Sequence, residues 1–161
     1  ARISTLYGPG QALSKQQGLI TLIARRIVWN QPIQIYVPLD TIRDYITAAD
    51  AAALILATLK IINGREGVFI KIIASEQPTT IAEIIATYKR IVRRAPKIIT
   101  STSKLSKVYS RRIQFRSIAF LTKKSISRTS LLVGISQVMA AERSKHAQSY
   151  LRVYNFNHFK K

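Results

Sequence analysis

The sequence predicts an α/β layered fold, and three features carry that expectation. Runs of β-branched apolar residues alternate with segments whose apolar residues recur at helical spacing. Hydrophobic residues make up 47% and charged residues 20% of the 161, a composition that argues against disorder. Pro, Gly and Asn fall where one periodicity gives way to the other. The expected order is strand, helix, strand, helix, strand, helix, weak strand, helix, without internal repeats.

Residues 1–11 read as a short apolar strand entering a Tyr-Gly-Pro-Gly turn. Gly8 and Gly10 permit positive φ or close backbone approach there, and Pro9 fixes its own φ. Over 15–29 the apolar residues Leu19, Ile20, Ile23, Ile27 and Val28 make one helical stripe, stopped by Asn30-Gln31-Pro32. A strand is expected over 33–37, an irregular link after Pro38, and a short extended piece over 43–46. The alanine-rich stretch 49–62 reads as a second helix ending at Asn63-Gly64. The β-branched run 68–73 predicts a buried strand.

Thr80 and Glu83 form a capping box for a third helix reaching about Val92. A brief strand is expected over 97–100, then an irregular Ser/Lys/Arg-rich stretch over 101–130 with one apolar island at 113–120. A fourth helix is expected over 131–147, with Leu132, Ile135, Val138 and Met139 on one face. Residues 148–161, mixing Tyr, Phe, Asn and Lys, read as a basic aromatic tail.

Charge narrows the classes of partner. The formal net charge is +19. Residues 1–83 hold eight Lys/Arg against six Asp/Glu, whereas residues 84–141 hold thirteen Lys/Arg and no carboxylate. Such a block attracts polyanions, whether nucleic acid, an acidic membrane or phosphorylated ligands. It reads equally as a solvated basic face, since no nucleic-acid signature accompanies it. With no cysteine, disulfides, thiolate catalysis and cysteine-ligated metals are excluded. Arg25, Arg26, Lys60 and Lys71 interrupt the apolar segments, so no membrane span is expected. No secretory leader is visible either. A cytoplasmic location is the expectation.

Few residues suggest chemistry by themselves. His146 and His158 lack a carboxylate or second histidine at ligand spacing, and read as helix and tail residues. The seven carboxylates show no pairing for acid–base or metal chemistry. Gly8-Pro9-Gly10 lacks the Lys-Ser/Thr of a phosphate loop and reads as a turn. The tail from Tyr150 onward reads first as loose chain and second as a base-stacking segment. Arg43, just after an irregular link and near a strand end, is suited to a bidentate phosphate grip. A solvated arginine is the alternative.

Four segments taken together resemble one family. Arg2 to Gln11 is similar to the Arg-x-x-Asn-x-Tyr-Gly-Pro segment of the NAD-dependent epimerase/dehydratase family, the extended short-chain dehydrogenases. Pro32 to Tyr36 followed by Arg43-Asp44-Tyr45-Ile46-Thr47-Ala48-Ala49-Asp50 resembles its strand and Arg-Asp-Tyr/Phe-Ile-x-Val-Asp-Asp motif. Ala74-Ser75 with Thr80-Ile81 resembles its Gly-Ser-Gly…Ser-Ile segment, and Leu132-Val133-Gly134-Ile135 its final helix.

The resemblance implies the C-terminal part of an extended Rossmann-type fold with its small substrate-binding domain. It spans residues 1–147 and implies a nucleotide-sugar substrate, NAD or NADP as cofactor, and a homodimer for the full-length protein. Ile3 and Ser4 would then lie beside the cofactor, Gln34 and Tyr36 near the nucleotide base, and Arg43 and Arg116 on the substrate diphosphate. Thr5 stands where the family has a substrate-binding Asn, and Ala49 replaces one paired aspartate. The Gly-rich fingerprint and the catalytic Tyr-x-x-x-Lys would precede residue 1, so this chain alone is not expected to transfer hydride. One alternative is a non-catalytic basic protein, derived from this fold, that binds nucleic acid or a ribonucleoprotein; another is a degenerate fragment with no ligand.

Overall fold

The computed structural model describes residues 1–12, 18–92, 96–101, 115–119 and 128–158, the last seven as backbone. The elements in order are β1 (Arg2–Ile3), β2 (Thr5–Tyr7), α1 (Leu19–Val28), β3 (Ile33–Ile35) and β4 (Ile42–Thr47). Then follow α2 (Ala48–Ile62), β5 (Ile72–Ile73), β6 (Pro78–Thr80), α3 (Ile81–Val92), β7 (Ile98–Thr100) and α4 (Leu131–His158). The class is the expected mixed α/β. Its strands pair as parallel β1–β5, as parallel β3–β7, and as β2–β4–β6, in which β2–β4 is parallel and β4–β6 antiparallel.

The opening strand is two strands. Arg2 and Ile3 register with Ile72 and Ile73, whereas Thr5, Leu6 and Tyr7 register with Tyr45, Ile46 and Thr47. The chain changes neighbours at Ser4, whose N–H donates to the Ile73 carbonyl at 2.9 Å and whose hydroxyl donates to Asp44 at 2.6 Å. The piece expected at 43–46 is the longest strand among the described residues and the centre of the three-stranded sheet.

The local stop and start signals act as chemistry requires. Asn30 takes φ 52 beyond α1, and the Gln31 N–H reaches back to the Arg26 carbonyl at 2.8 Å. The Thr80 N–H donates to Glu83 at 2.7 Å while the Glu83 N–H donates to the Thr80 hydroxyl at 3.1 Å, a closed capping box. The Thr47 hydroxyl caps α2 by accepting from the Asp50 N–H at 3.1 Å.

Three expectations are corrected. The run 68–73 is not a buried strand: Val68 is 94% and Ile70 58% exposed, and only Ile72–Ile73 pair, because the partner β1 is two residues long. The helix expected from residue 15 begins at Leu19 after Gly18 at φ 99, and residues 13–17 lie outside the described residues. The fourth helix does not stop at 147 but runs through His158, so most of the segment read as a tail is helical. No Gly or Pro occurs over 135–161 to break it, so the helix carries on past the point where its apolar periodicity fades. The island at 113–120 contains an exposed Ile118, while most of 101–130 lies outside the described residues.

Two cores flank β4. The larger joins Tyr7, Tyr45, Ile33 and Ile35 to α1, α3 and α4 through residues such as Ile20, Ile23, Ile84, Tyr88, Ile135 and Met139. The smaller holds Ile46, Ala51, Leu54 and Ile73. Tyr45 and Ile46 enter different cores because successive strand residues point to opposite faces. Helix α2 buries Ala51, Leu54 and Thr58 and leaves Leu56 and Leu59 on an exposed apolar face.

Helix α4 seats on Tyr7 through Gly134. A Cβ at that position would collide with the Tyr7 hydroxyl. Across the same seam Glu142, 2% exposed, accepts from Arg25 at 3.0 Å and from Lys145 at 3.0 Å. Burial alone would raise the Glu142 carboxyl, but the hydrogen bonds from Arg25 and Lys145 outweigh it and hold the group below its ordinary value.

Gly134→Ala is expected to destabilise the chain by about 1–3 kcal/mol in urea unfolding, and adding Tyr7→Phe should recover part of the loss by removing the hydroxyl. The folded Glu142 holds its proton less tightly than the unfolded one, so its stabilisation is complete at neutral pH and lost as acidification passes below the ordinary carboxylate range. Thermal melts between about pH 7 and pH 3 read this out, and Glu142→Gln should flatten that limb.

Candidate functional site

The site is built on β4, because its two faces carry different chemistry. Alternation sets Arg43 and Tyr45 on one face, and the register brings Thr79 of β6 opposite Arg43 and Thr5 of β2 opposite Tyr45. Arg43 is half-buried, and its Nη1 donates to the neighbouring Ile42 carbonyl at 2.8 Å. Tyr45 is 9% exposed, and burial raises its hydroxyl pKa against the opposing effect of the nearby Arg43 charge. The guanidinium is thus held against a packed sheet face.

Asp44 points to the other face and is 2% exposed. It accepts from the Ser4 hydroxyl at 2.6 Å, the Ser75 N–H at 2.9 Å and the Ser75 hydroxyl at 2.9 Å. A buried carboxylate is tolerated only with such partners. These bonds tie the β1–β2 junction and the loop after β5 to the centre of β4.

A second set closes over the sheet end. Asp50, in the first turn of α2, accepts from the Thr129 N–H at 2.9 Å and the Thr129 hydroxyl at 3.0 Å. Arg128 donates to the Ser75 carbonyl and pairs with Glu76 at 3.6 Å. Glu76 also accepts from the Ser117 N–H at 3.1 Å. Lys71 is 7% exposed and donates to the Ala119 carbonyl at 2.5 Å, and burial lowers its pKa although Glu76 opposes this. Between these groups lies a cleft of about 20 Å³ lined by Tyr7, Tyr45, Asp50, Ser75, Arg128 and Thr129 among others. That is room for about one water. The Tyr7 hydroxyl is pushed up to about 12 by burial and by the Asp50 charge, so it stays a neutral hydrogen-bonding group.

The residues singled out in the sequence fall into three places. Ser4, Thr5 and Arg43 gather around β4, with Ile3 just before them on β1 and 44% exposed. Gln34 and Tyr36 lie together at β3 on the separate β3–β7 pair, where the Tyr36 hydroxyl donates to the Gln34 side chain. Arg116 is exposed and adjoins Ser117, which is bonded to Glu76 beside the cleft. For a dinucleotide, Ile3 offers exposed apolar surface, whereas the Ser4 hydroxyl is already engaged by Asp44.

Sequence reasoning missed the joining roles of Asp44, Asp50, Ser75 and Arg128. An Asp in the middle of the strand Ile42–Thr47, between Arg43 and Tyr45, was the available signal for Asp44. Arg128, in a stretch without periodicity, offered none. Among the described residues no group of His, Asp and Glu is arranged to hold a metal, and no helix is long and apolar enough to cross a membrane.

Comparison with known proteins bears on this geometry. Residues 1–72 match the family model described as the NAD dependent epimerase/dehydratase family. No curated protein sequence matches the chain. Among solved structures, Thermus thermophilus UDP-glucose 4-epimerase, in complex with NAD, is 18% identical at a TM-score of 0.66, over 88% of this chain and 45% of that one. Bacillus cereus UDP-glucuronic acid 4-epimerase, in complex with UDP-glucuronic acid and NAD, is 18% identical at 0.66, over 89% and 44%. The Pseudomonas aeruginosa protein RMD, complexed with NADPH, is 18% identical at 0.67, over 89% and 48%.

The family resemblance thus holds over residues 1–72, and the fold of the extended epimerases and dehydratases over nearly nine-tenths of the chain. The chain spans about 45% of the length of these structures.

Asp50→Ala removes both anchors of Thr129 and should cost amide protection over residues 128–131 by about tenfold or more. Hydrogen exchange read by mass spectrometry checks this, with α3 unchanged.

Proposed function

We propose that this chain supplies the substrate-side half of an NAD(P)-dependent nucleotide-sugar epimerase or dehydratase. The observation that carries the reading is Arg43 held on one sheet face with Thr5 and Tyr45, while Asp44 locks the strand beneath it. A preorganised guanidinium of this kind suits a diphosphate, to which it offers paired donors at little further entropic loss. The fold is shared with proteins solved with UDP-glucuronic acid and NAD, which supports the substrate class by analogy alone.

In this reading Thr5 contacts the sugar, Gln34 and Tyr36 approach the nucleotide base, and Arg116 adds a second cation toward the diphosphate. Residues 1–147 form the working unit, with 148–161 as an extension. NAD or NADP binds chiefly to the other half of such an enzyme, with Ile3 and Ser4 at its border, and it would supply hydride transfer there. The chain by itself then binds substrate without turning it over. A cytoplasmic homodimer is the expected setting of the full-length protein.

Titration calorimetry with UDP-glucose tests the reading. Arg43→Ala should weaken binding by about tenfold or more, equivalent to about 1.4 kcal/mol. An unchanged affinity removes Arg43 from the site, and no binding to the parent chain overturns the substrate role.

A further inference from the structure

The chain's single tryptophan, Trp29, caps the C-terminus of α1 and is 48% exposed. Its ring meets His146 of α4 edge-on, with centroids 4.9 Å and planes 76° apart. His146 meets Tyr150 in the same manner, at 4.8 Å and 75°. Three rings therefore form a row across the α1–α4 seam, and its two ends are largely open, Tyr150 being 66% exposed. Beside the row lies an open groove of about 440 Å³, floored by the buried Ile27 and Met139 with Val28 and Val92, and edged by Arg143 and His146, which make its exposed surface mainly polar.

The electrostatics of this corner have one sign. Helix α1 ends with Arg25 and Arg26 in its last turn, and α3 ends with Lys89 and Arg90 in its own. Arg143 is exposed and makes no ion pair or hydrogen bond among the described residues. The one carboxylate of α4, Glu142, is buried and already engaged by Arg25 and Lys145. Arg25 is taken by Glu142 and Arg26 donates to the Gln31 side chain, which leaves Arg143, Lys89 and Arg90 as the cations open to a phosphate. Aromatic faces beside such cations are what a single-stranded nucleic acid requires, since each base brings a π-face and each phosphate a charge. An acidic peptide would use the cations but leave the rings idle. A duplex hides its base faces in its own stack.

We propose that this groove and ring row bind single-stranded nucleic acid, with one base in the groove, a neighbouring base on Trp29 or Tyr150, and phosphates against Arg143, Lys89 and Arg90. The surface is distinct from the β4 site and stands whether or not that site takes a nucleotide sugar.

Because Trp29 is the only tryptophan, its fluorescence reads the surface directly. The full chain would be titrated with oligouridylate about twelve nucleotides long, with UMP, and with a duplex of matched length, at about 0.05 and 0.2 M salt. Saturable quenching by the oligomer is expected, weakening steeply at the higher salt, and weakening about tenfold or more in Arg143→Gln and in Tyr150→Ala. Both side chains are exposed, and circular dichroism would check that the variants keep the parent fold. Arg43→Ala should leave the quenching unchanged, which separates this surface from the nucleotide-sugar reading. The proposal is overturned by no saturable quenching, by UMP binding as tightly as the oligomer, by equal binding of the duplex, or by indifference to both variants.

Discussion

The carboxylate of Asp44 holds the sheet region together. It is almost wholly buried, and it reaches Ser4 at the point where the first strand changes neighbours and Ser75 at the point where β5 ends. Paired strands of two and three residues are marginal units by themselves. A charge-assisted acceptor shared among three segments fixes what short ladders cannot, since such bonds are roughly twice as strong as neutral ones. Arg43 inherits its position from this arrangement, being the next residue on a strand whose register Asp44 secures.

Much of the fold was legible in local chemistry. Asn30 with Pro32, the Thr80–Glu83 box and Asn63-Gly64 each act through bonds or dihedrals within a few residues, so their meaning survives without knowledge of the rest. The run 68–73 failed for the opposite reason. Val68 and Ile70 have strand character, but whether they pair depends on a neighbour two residues long that lies elsewhere in the chain.

The site divided along the same line. Arg43 and Thr5 were singled out from two separate motifs, and the sheet sets their strands side by side, with Thr5 opposite Tyr45. Asp50 matched the motif of Arg43 too, yet its bond to Thr129 spans 79 residues and no spacing rule reaches so far. Arg128 was hidden for the same reason, its partners Ser75 and Glu76 lying more than fifty residues away. The aromatic row needed the α1–α4 crossing to exist at all, since Trp29 and His146 are unremarkable apart.

That crossing also orders events in time. Arg25 and Glu142 are separated by 117 residues, and the larger core takes Ile135, Val138 and Met139 from α4. Joining ends so distant carries a loop-closure entropy that local contacts do not. During synthesis, α1 and α3 leave the ribosome with their apolar stripes uncovered until α4 follows. Helix α4 thus completes a core that α1 begins more than a hundred residues earlier, and α1 depends on so late a partner for protection from aggregation.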